Sequence, residues 1–328
     1  MAELLGWRVA WCLDGFGFLK MWQVDCAKNT VTAMLPFQQR LRALKRRIAG
    51  KTHQIHEQSV YSGGFDQIAF LSEAGLDLRD STILELGTGW YPVIPLMLRL
   101  AGARQIILTD AHPLLDRETL KAAVDFLILR RTDLAERLGT SVEKIEETLS
   151  YPQDAPVDKA LDELGMTYRV QATLNTMNVR VDAIISHTVL EHVPPSVIVD
   201  LLEQSREILR PGGVISHGID HSDHRAHRDA RLSRVDFLRY SDAIWRLLCL
   251  NPQDYTNRLR HSDYVAMVEA AGYELILERP LMDPVARTDL DGLALAPRFQ
   301  SRHPDDLAVL WTNIVARPKA TDKAVQGT

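Results

Sequence analysis

The stretch ILELGTGWYP, residues 83–92, decides how this chain is read. Ile83, Leu84 and Leu86 make an apolar run that ends in Gly87-Thr88-Gly89, and a helical pattern opens after Pro92. An apolar run closed by glycines and followed by a helix is the strand-turn-helix unit of an open α/β sheet. Glycine in the turn permits positive φ and lets a ligand approach the backbone. The helix start behind it offers unpaired N–H groups and the positive end of a dipole.

Working outward, strand and helix patterns alternate. Residues 82–86 are expected as the first strand. Residues 93–101 follow as a helix, with Pro92 and Pro95 near its start and Gly102 just past its end. QIILT (105–109), residues 183–186 and VISHGI (214–219) read as strands. Residues 196–209 read as an amphipathic helix with Val197, Leu201 and Ile208 on its apolar side. Ser262 is expected to cap a helix that runs to Ala271 and stops at Gly272. YELILE (273–278) and LAVLWTNIVA (307–316) complete the sheet. Alternation of this kind predicts a doubly wound, Rossmann-like α/β fold with a largely parallel sheet covered on both faces. Two stretches exceed the minimal pattern and are read as insertions, residues 114–165 and 221–259. Residues 1–75 are read as a helical N-terminal segment, residues 76–318 as the main domain and residues 319–328 as a disordered tail.

The chain has 328 residues, 46% hydrophobic and 25% charged, which suits one large globular domain with embellishments. A net charge of -5 argues against a nucleic-acid partner. Cys12, Cys26 and Cys249 lie far apart and form neither a disulfide framework nor a zinc signature, so a reducing, cytoplasmic location is expected. Residues 4–24 are aromatic-rich but are interrupted by Arg8, Asp14 and Lys20, too early for a membrane span. Residues 37–51 carry six Lys/Arg and no acid. Together these segments suggest a lid, a homodimer surface or, less in keeping with the rest, a helix lying on a membrane surface.

Asp110 ends the second strand, about twenty residues after the glycine turn, where a carboxylate can accept both hydroxyls of a ribose. That frame suits NAD or S-adenosylmethionine. A dinucleotide turn wants a third small glycine where this chain has Pro92. Glu85, two residues before the first glycine, can pair with an amino group, which S-adenosylmethionine has and a pyrophosphate lacks.

Taken in order, ILELGTG, IILTDAHP, DAIISHTVLEHVP and LRPGGVI resemble the successive motifs of class I S-adenosylmethionine-dependent methyltransferases, over residues 81–318. NRLRHSDYVAMVEAAGYE (257–274) resembles a segment of bacterial small-molecule methyltransferases. The resemblance implies a seven-stranded sheet whose last strand is antiparallel, with S-adenosylmethionine as cofactor. It implies that Glu85, Gly87, Thr88 and Gly89 hold the methionine part, that Asp110 holds the ribose and that His187 lies near the methionine end. It departs from the family in YRVQATLNTMN (168–178), which lacks the usual acid for the adenine amine; Gln171 or the backbone of Ala172 is expected to substitute.

Methyl transfer needs alignment of nucleophile and sulfonium, and a base only when the acceptor is protonated. Histidine suits that base. SHTVLEHV supplies Glu191 and His192, and HGIDHSDHRAHRD supplies His217, Asp220, His221, Asp223, His224 and His227. His192 and His221 are expected as the catalytic pair, and Glu191, His224, Asn257 and Arg258 as acceptor contacts. Arg258 and Arg260 alternate, so at most one is expected to point inward. His221, His224 and His227 recur every third residue and on a helix would share a face able to hold a metal; the reading adopted is a metal-free site. The function expected is methyl transfer to a small molecule or sugar-containing metabolite. A nicotinamide-dependent oxidoreductase and a non-catalytic methyltransferase-like binding subunit are the alternatives.

Overall fold

The computed structural model describes residue 55 and residues 61–227, 229–249 and 255–320. The expectations for residues 4–24, 37–51 and most of the tail lie outside the described residues. No helix among the described residues is long and apolar enough to cross a membrane.

Seven strands form one sheet in the order β3-β2-β1-β4-β5-β7-β6. β1 (Thr82–Leu86) pairs in parallel with β2 (Gln105–Asp110) and with β4 (Val181–His187). β3 (Met166–Val170) extends the sheet beyond β2, and β5 (Leu209–Asp220) beyond β4, both in parallel. β7 (Val309–Pro318) runs antiparallel between β5 and β6 (Tyr273–Met282). One strand is therefore reversed, as the resemblance implied.

Neighbouring residues of each strand feed opposite faces, the period-2 rule of a pleated sheet. Ile83, Ile106, Leu108 and Ile185 join an apolar cluster with α1 (Ser62–Glu73) and α2 (Val93–Leu100). Leu84, Ile107, Ile184 and Ile215 join a second cluster, with α7 (Pro195–Ile208) and α9 (His261–Ala270). Between β2 and β3 run α3 (Arg117–Ile128), α4 (Arg131–Leu138), α5 (Val142–Thr148) and α6 (Val157–Glu163). Their buried residues Leu120, Leu127, Leu134, Ile145 and Leu161 belong to the first cluster, so residues 114–165 build the main core. A third cluster forms around the start of β7. Phe237, and Trp245 within α8 (Asp242–Leu248), meet Phe299 and Leu310 from the β6–β7 connection and the start of β7.

Two local expectations shift. The buried stripe of α7 is Ile198, Leu202, Ser205 and Ile208, while Val197 is 41% exposed, so the apolar face is set one residue later than read. α9 begins after Arg260 rather than Ser262, and the Asp263 carboxylate accepts the Arg260 N–H at 2.8 Å.

Candidate functional site

The strand order reverses between β1 and β4. Ligands of open α/β sheets sit beyond the carboxyl ends of the strands at such a point. Gly87 to Gly89 leave β1 there, and His187 ends β4 beside them.

The turn is tied to β2. The N–H groups of Gly87 and Thr88 both donate to Thr109 O, at 2.8 and 3.1 Å, and the Thr109 hydroxyl donates to Glu85 O at 2.8 Å. Gly87 and Gly89 take φ of +70° and +72°. A Cβ on Gly87 would lie 2.6 Å from Val189, whereas one on Gly89 would meet nothing within 4 Å. The turn is thus closed on its protein side and open on its outer side. Glu85 is buried, and its Oε2 and the Thr88 hydroxyl have no hydrogen-bond partner among the described residues. Burial drives the Glu85 carboxyl up to about 8; the neighbouring Thr88 hydroxyl works against the rise, and the charge of Asp110 adds to it.

Asp110 is held from two sides. The Gly89 N–H donates to its Oδ2 at 3.0 Å, and the Tyr168 hydroxyl donates to the same oxygen at 3.0 Å. Burial raises its carboxyl to about 6, and these two donors work against the rise. Tyr168, in the stretch where the sequence reading expects an acid, stands on β3 opposite Leu108, and the strand pairing brings its hydroxyl to Asp110. Ala172 is exposed in the loop after β3, behind Gln171 at φ +56°. The His187 ring lies 5.0 Å from the Trp311 ring. A Cβ on Gly63 of α1 would fall 2.5 Å from that imidazole, so glycine is what lets α1 lie against it.

The acceptor side is sorted by burial. His217 is enclosed, with Nδ1 2.8 Å from the Ser186 hydroxyl, and burial lowers it to about 4. His221, expected as a catalytic residue, is a correction. It is 3% exposed, its Nδ1 lies 3.2 Å from Leu259 O and its Nε2 lies 2.8 Å from the Thr312 hydroxyl. Both ring nitrogens are spent inside the protein, and burial lowers the ring to about 3. Asn257 is a second correction. Its amide donates to Leu190 O at 2.8 Å and Val193 O at 2.9 Å, and its own N–H donates to Glu191 O at 2.9 Å. It braces the turn that carries Glu191 and His192. Arg258 is a third. It donates to Phe237 O, Tyr240 O and Asp242. Arg260 is buried as well and donates to His221 O, Leu307 O and Val309 O. Both arginines point inward because Arg258 sits at φ +59° and breaks the extended alternation.

Glu191, His192 and His224 come together, with donor atoms all within 4.8 Å of one another. The His192 and His224 rings are 4.9 Å apart, and His224 stacks on His227 at 5.2 Å. Burial would raise Asp220, but hydrogen bonds from His224 and Ser222 outweigh it and hold the carboxyl well below the usual range. A cleft of about 320 Å³ opens alongside, lined by Asp220, Ser222, His227, Arg234, Met282 and Trp311.

No protein-family model matches the chain. No curated protein matches it. Among solved structures it is similar to magnesium protoporphyrin IX methyltransferase from Synechocystis with bound S-adenosylhomocysteine, at 13% identity and TM-score 0.43 over 83% of this chain and 91% of that one. It is similar to 1,6-didemethyltoxoflavin-N1-methyltransferase from Burkholderia thailandensis, at 13% identity and TM-score 0.42 over 86% and 87%. It is similar to an S-adenosylmethionine-dependent methyltransferase from Mesorhizobium loti, at 14% identity and TM-score 0.41 over 76% and 96%. The sheet order and its one reversed strand are decisive for the architecture. The fold is a Rossmann-like, doubly wound seven-stranded sheet with one reversed strand. In that fold the open turn at Gly89 and the cleft beside Asp220 share the carboxyl edge of one sheet.

Proposed function

We propose that the chain is an S-adenosylmethionine-dependent methyltransferase that acts on a small molecule or sugar-containing metabolite. The observation that carries the reading is Glu85: a buried carboxyl with an oxygen lacking a partner, beside a glycine turn that is open outward. A cationic amino group beside Glu85 answers that burial, and a pyrophosphate does not. Bound S-adenosylmethionine supplies a methyl group already activated on a sulfonium. Thr88 offers a hydroxyl to the same methionine part, and Gly87 keeps the turn's backbone clear for it. Asp110 accepts the ribose hydroxyls in exchange for its present donors, the Gly89 N–H and the Tyr168 hydroxyl. The backbone at Ala172 borders the adenine, and His187 closes the methionine end.

A cleft of about 320 Å³ suits a small acceptor. His192 is the base for a hydroxyl acceptor, and Glu191 and His224 lie close enough to orient it. Transfer is in line, so the chain's task is to hold oxygen and sulfur in register. The absence of a disulfide framework in the sequence supports a cytoplasmic setting.

The test is a thermal shift. A ligand that binds only the folded chain raises Tm. S-adenosylhomocysteine is expected to raise it and NAD to leave it alone; the opposite pattern would return the chain to the nicotinamide reading. Cofactor binding with no turnover across a broad acceptor panel would favour a binding subunit.

A further inference from the structure

We propose that Glu191, His192 and His224 bind one divalent first-row transition-metal ion at the carboxyl edge of β4 and β5. The site rests on the acceptor side of the proposed function, where it gives His192 a ligand's role in place of the base's; none of its residues belongs to the glycine turn or is Asp110, so ion binding and cofactor binding can be tested apart.

Glu191 is the first reason. It is 3% exposed, and neither of its carboxylate oxygens has a hydrogen-bond partner among the described residues. A buried carboxylate without donors is expensive unless a cation meets it. The cluster of two imidazoles and one carboxylate is the second reason. Ligands on one zinc-like ion lie about 3–3.5 Å apart, since each bond is about 2.0–2.2 Å long. The observed donor atoms, within 4.8 Å of one another, are brought to that spacing by small side-chain rotations.

The surroundings fix the rings as ligands. His192 Nδ1 lies 2.8 Å from Tyr255 O. A carbonyl only accepts, so Nδ1 carries a proton there, and Nε2 is the ring atom that would meet the ion. His224 Nε2 stands 3.5 Å from the Asp220 carboxylate, the acid-imidazole pairing that orients metal-bound histidines. Asn257 clamps the Glu191 turn through three hydrogen bonds, so the carboxylate and His192 are presented together. Two histidines and one carboxylate favour zinc, manganese, iron or cobalt over magnesium and calcium, which prefer all-oxygen sets.

Three protein ligands leave coordination positions for further oxygens. With the ion bound, His192 is a ligand and not the base. The ion then acidifies an oxygen ligand directly, a hydroxyl of the acceptor or a water.

The test uses the full chain, stripped with a chelator and titrated with Co²⁺ and Zn²⁺. Calorimetry should give one ion per chain, and Co²⁺ should develop visible d–d absorption on binding. Glu191→Gln and His224→Asn should each weaken Zn²⁺ binding by on the order of 100-fold or more, since even outer-shell changes cost 10–100-fold. Asp110→Ala should leave it unchanged. Circular dichroism and a cooperative thermal melt report folding of each variant, and two ligand positions guard against one variant failing to fold. No stoichiometric ion, or equal affinity in a folded Glu191→Gln or His224→Asn variant, would overturn the site. Failure of S-adenosylhomocysteine to bind, with Zn²⁺ binding intact, would count against the methyltransferase reading alone.

Discussion

Asp110 and Glu191 stand along the same edge of the sheet, one after β2 and the other after β4, and burial has opposite outcomes for them. Asp110 keeps two donors, the Gly89 N–H and the Tyr168 hydroxyl. Glu191 has none for either oxygen among the described residues, and burial holds its carboxyl well above the usual range. The first arrangement is complete without a ligand, and its donors can be exchanged for hydroxyls of similar strength. The second is incomplete: a proton, a cation or an added hydrogen-bond donor would complete it. The edge therefore divides into an end whose buried acid is met by protein donors and an end whose buried acid is not.

The comparison breaks most visibly at the turn. Gly87→Val puts a β-branched side chain at φ +70° and against Val189. S-adenosylhomocysteine binding should fall by about 3 kcal/mol or more, beyond calorimetric detection. Unchanged affinity would remove the cofactor from this turn.

The next effect is at the other end. Once an acceptor is identified, His192→Ala should lower turnover about 10²–10⁴-fold while the affinity for S-adenosylhomocysteine stays put. His224→Asn sharpens the outcome: a matching loss points to a metal ligand, and a mild one to His192 acting alone as base. His221→Ala should instead cost about 1–3 kcal/mol of stability through its lost buried hydrogen bonds. A His221→Ala protein with native Tm and no turnover would reverse the assignment made here.

Acid stability separates the dry histidines from the open ones. His217 has an ordinary value of 6.5 and a folded value of about 4. Between those pH values the unfolded chain binds a proton that the folded chain refuses. Its stabilising effect is complete above pH 6.5 and is lost as pH falls to about 4. The loss is on the order of 3 kcal/mol for such a shift. Urea denaturation at pH 7.5 and 4.5 checks it, with His217→Asn expected to flatten the dependence. His221 acts in the same direction and leaves a residual slope.

Smallest are the changes around Asp110. Asp110→Ala should weaken S-adenosylhomocysteine binding by about 1–3 kcal/mol, and Tyr168→Phe by less than about 1 kcal/mol. If Tyr168→Phe costs as much as Asp110→Ala, the hydroxyl is a ligand contact rather than a holder of Asp110.

The glycine turn was legible because its signal is local. Ile83 and Leu84 are buried on opposite faces, and the glycines follow directly. The same holds for Asp110 at the end of β2. The acceptor side was only partly legible, because its grouping is set by long-range contacts. The spacing of His221, His224 and His227 places them on one face only if the segment is helical, and it folds as turns. His221 is drawn to Thr312 and His227 to Ser222, while His224 joins Glu191 and His192 from the previous strand end. Arg258 misled for a local reason, since one residue at positive φ cancels an alternation argument. The apolar face of α7 was read one residue early because Val197 is as apolar as Ile198, and only packing tells them apart.

The buried Glu85 has a consequence for the proton inventory. With its carboxyl at about 8, the ligand-free chain carries that proton at neutral pH. A cationic amino group arriving beside it favours the ionised form, so binding expels the proton to solvent. Affinity for S-adenosylhomocysteine should therefore rise with pH up to about 8 and level off above it. Calorimetry in two buffers of different ionisation enthalpy would count the released proton, and Glu85→Gln should bring that count to zero.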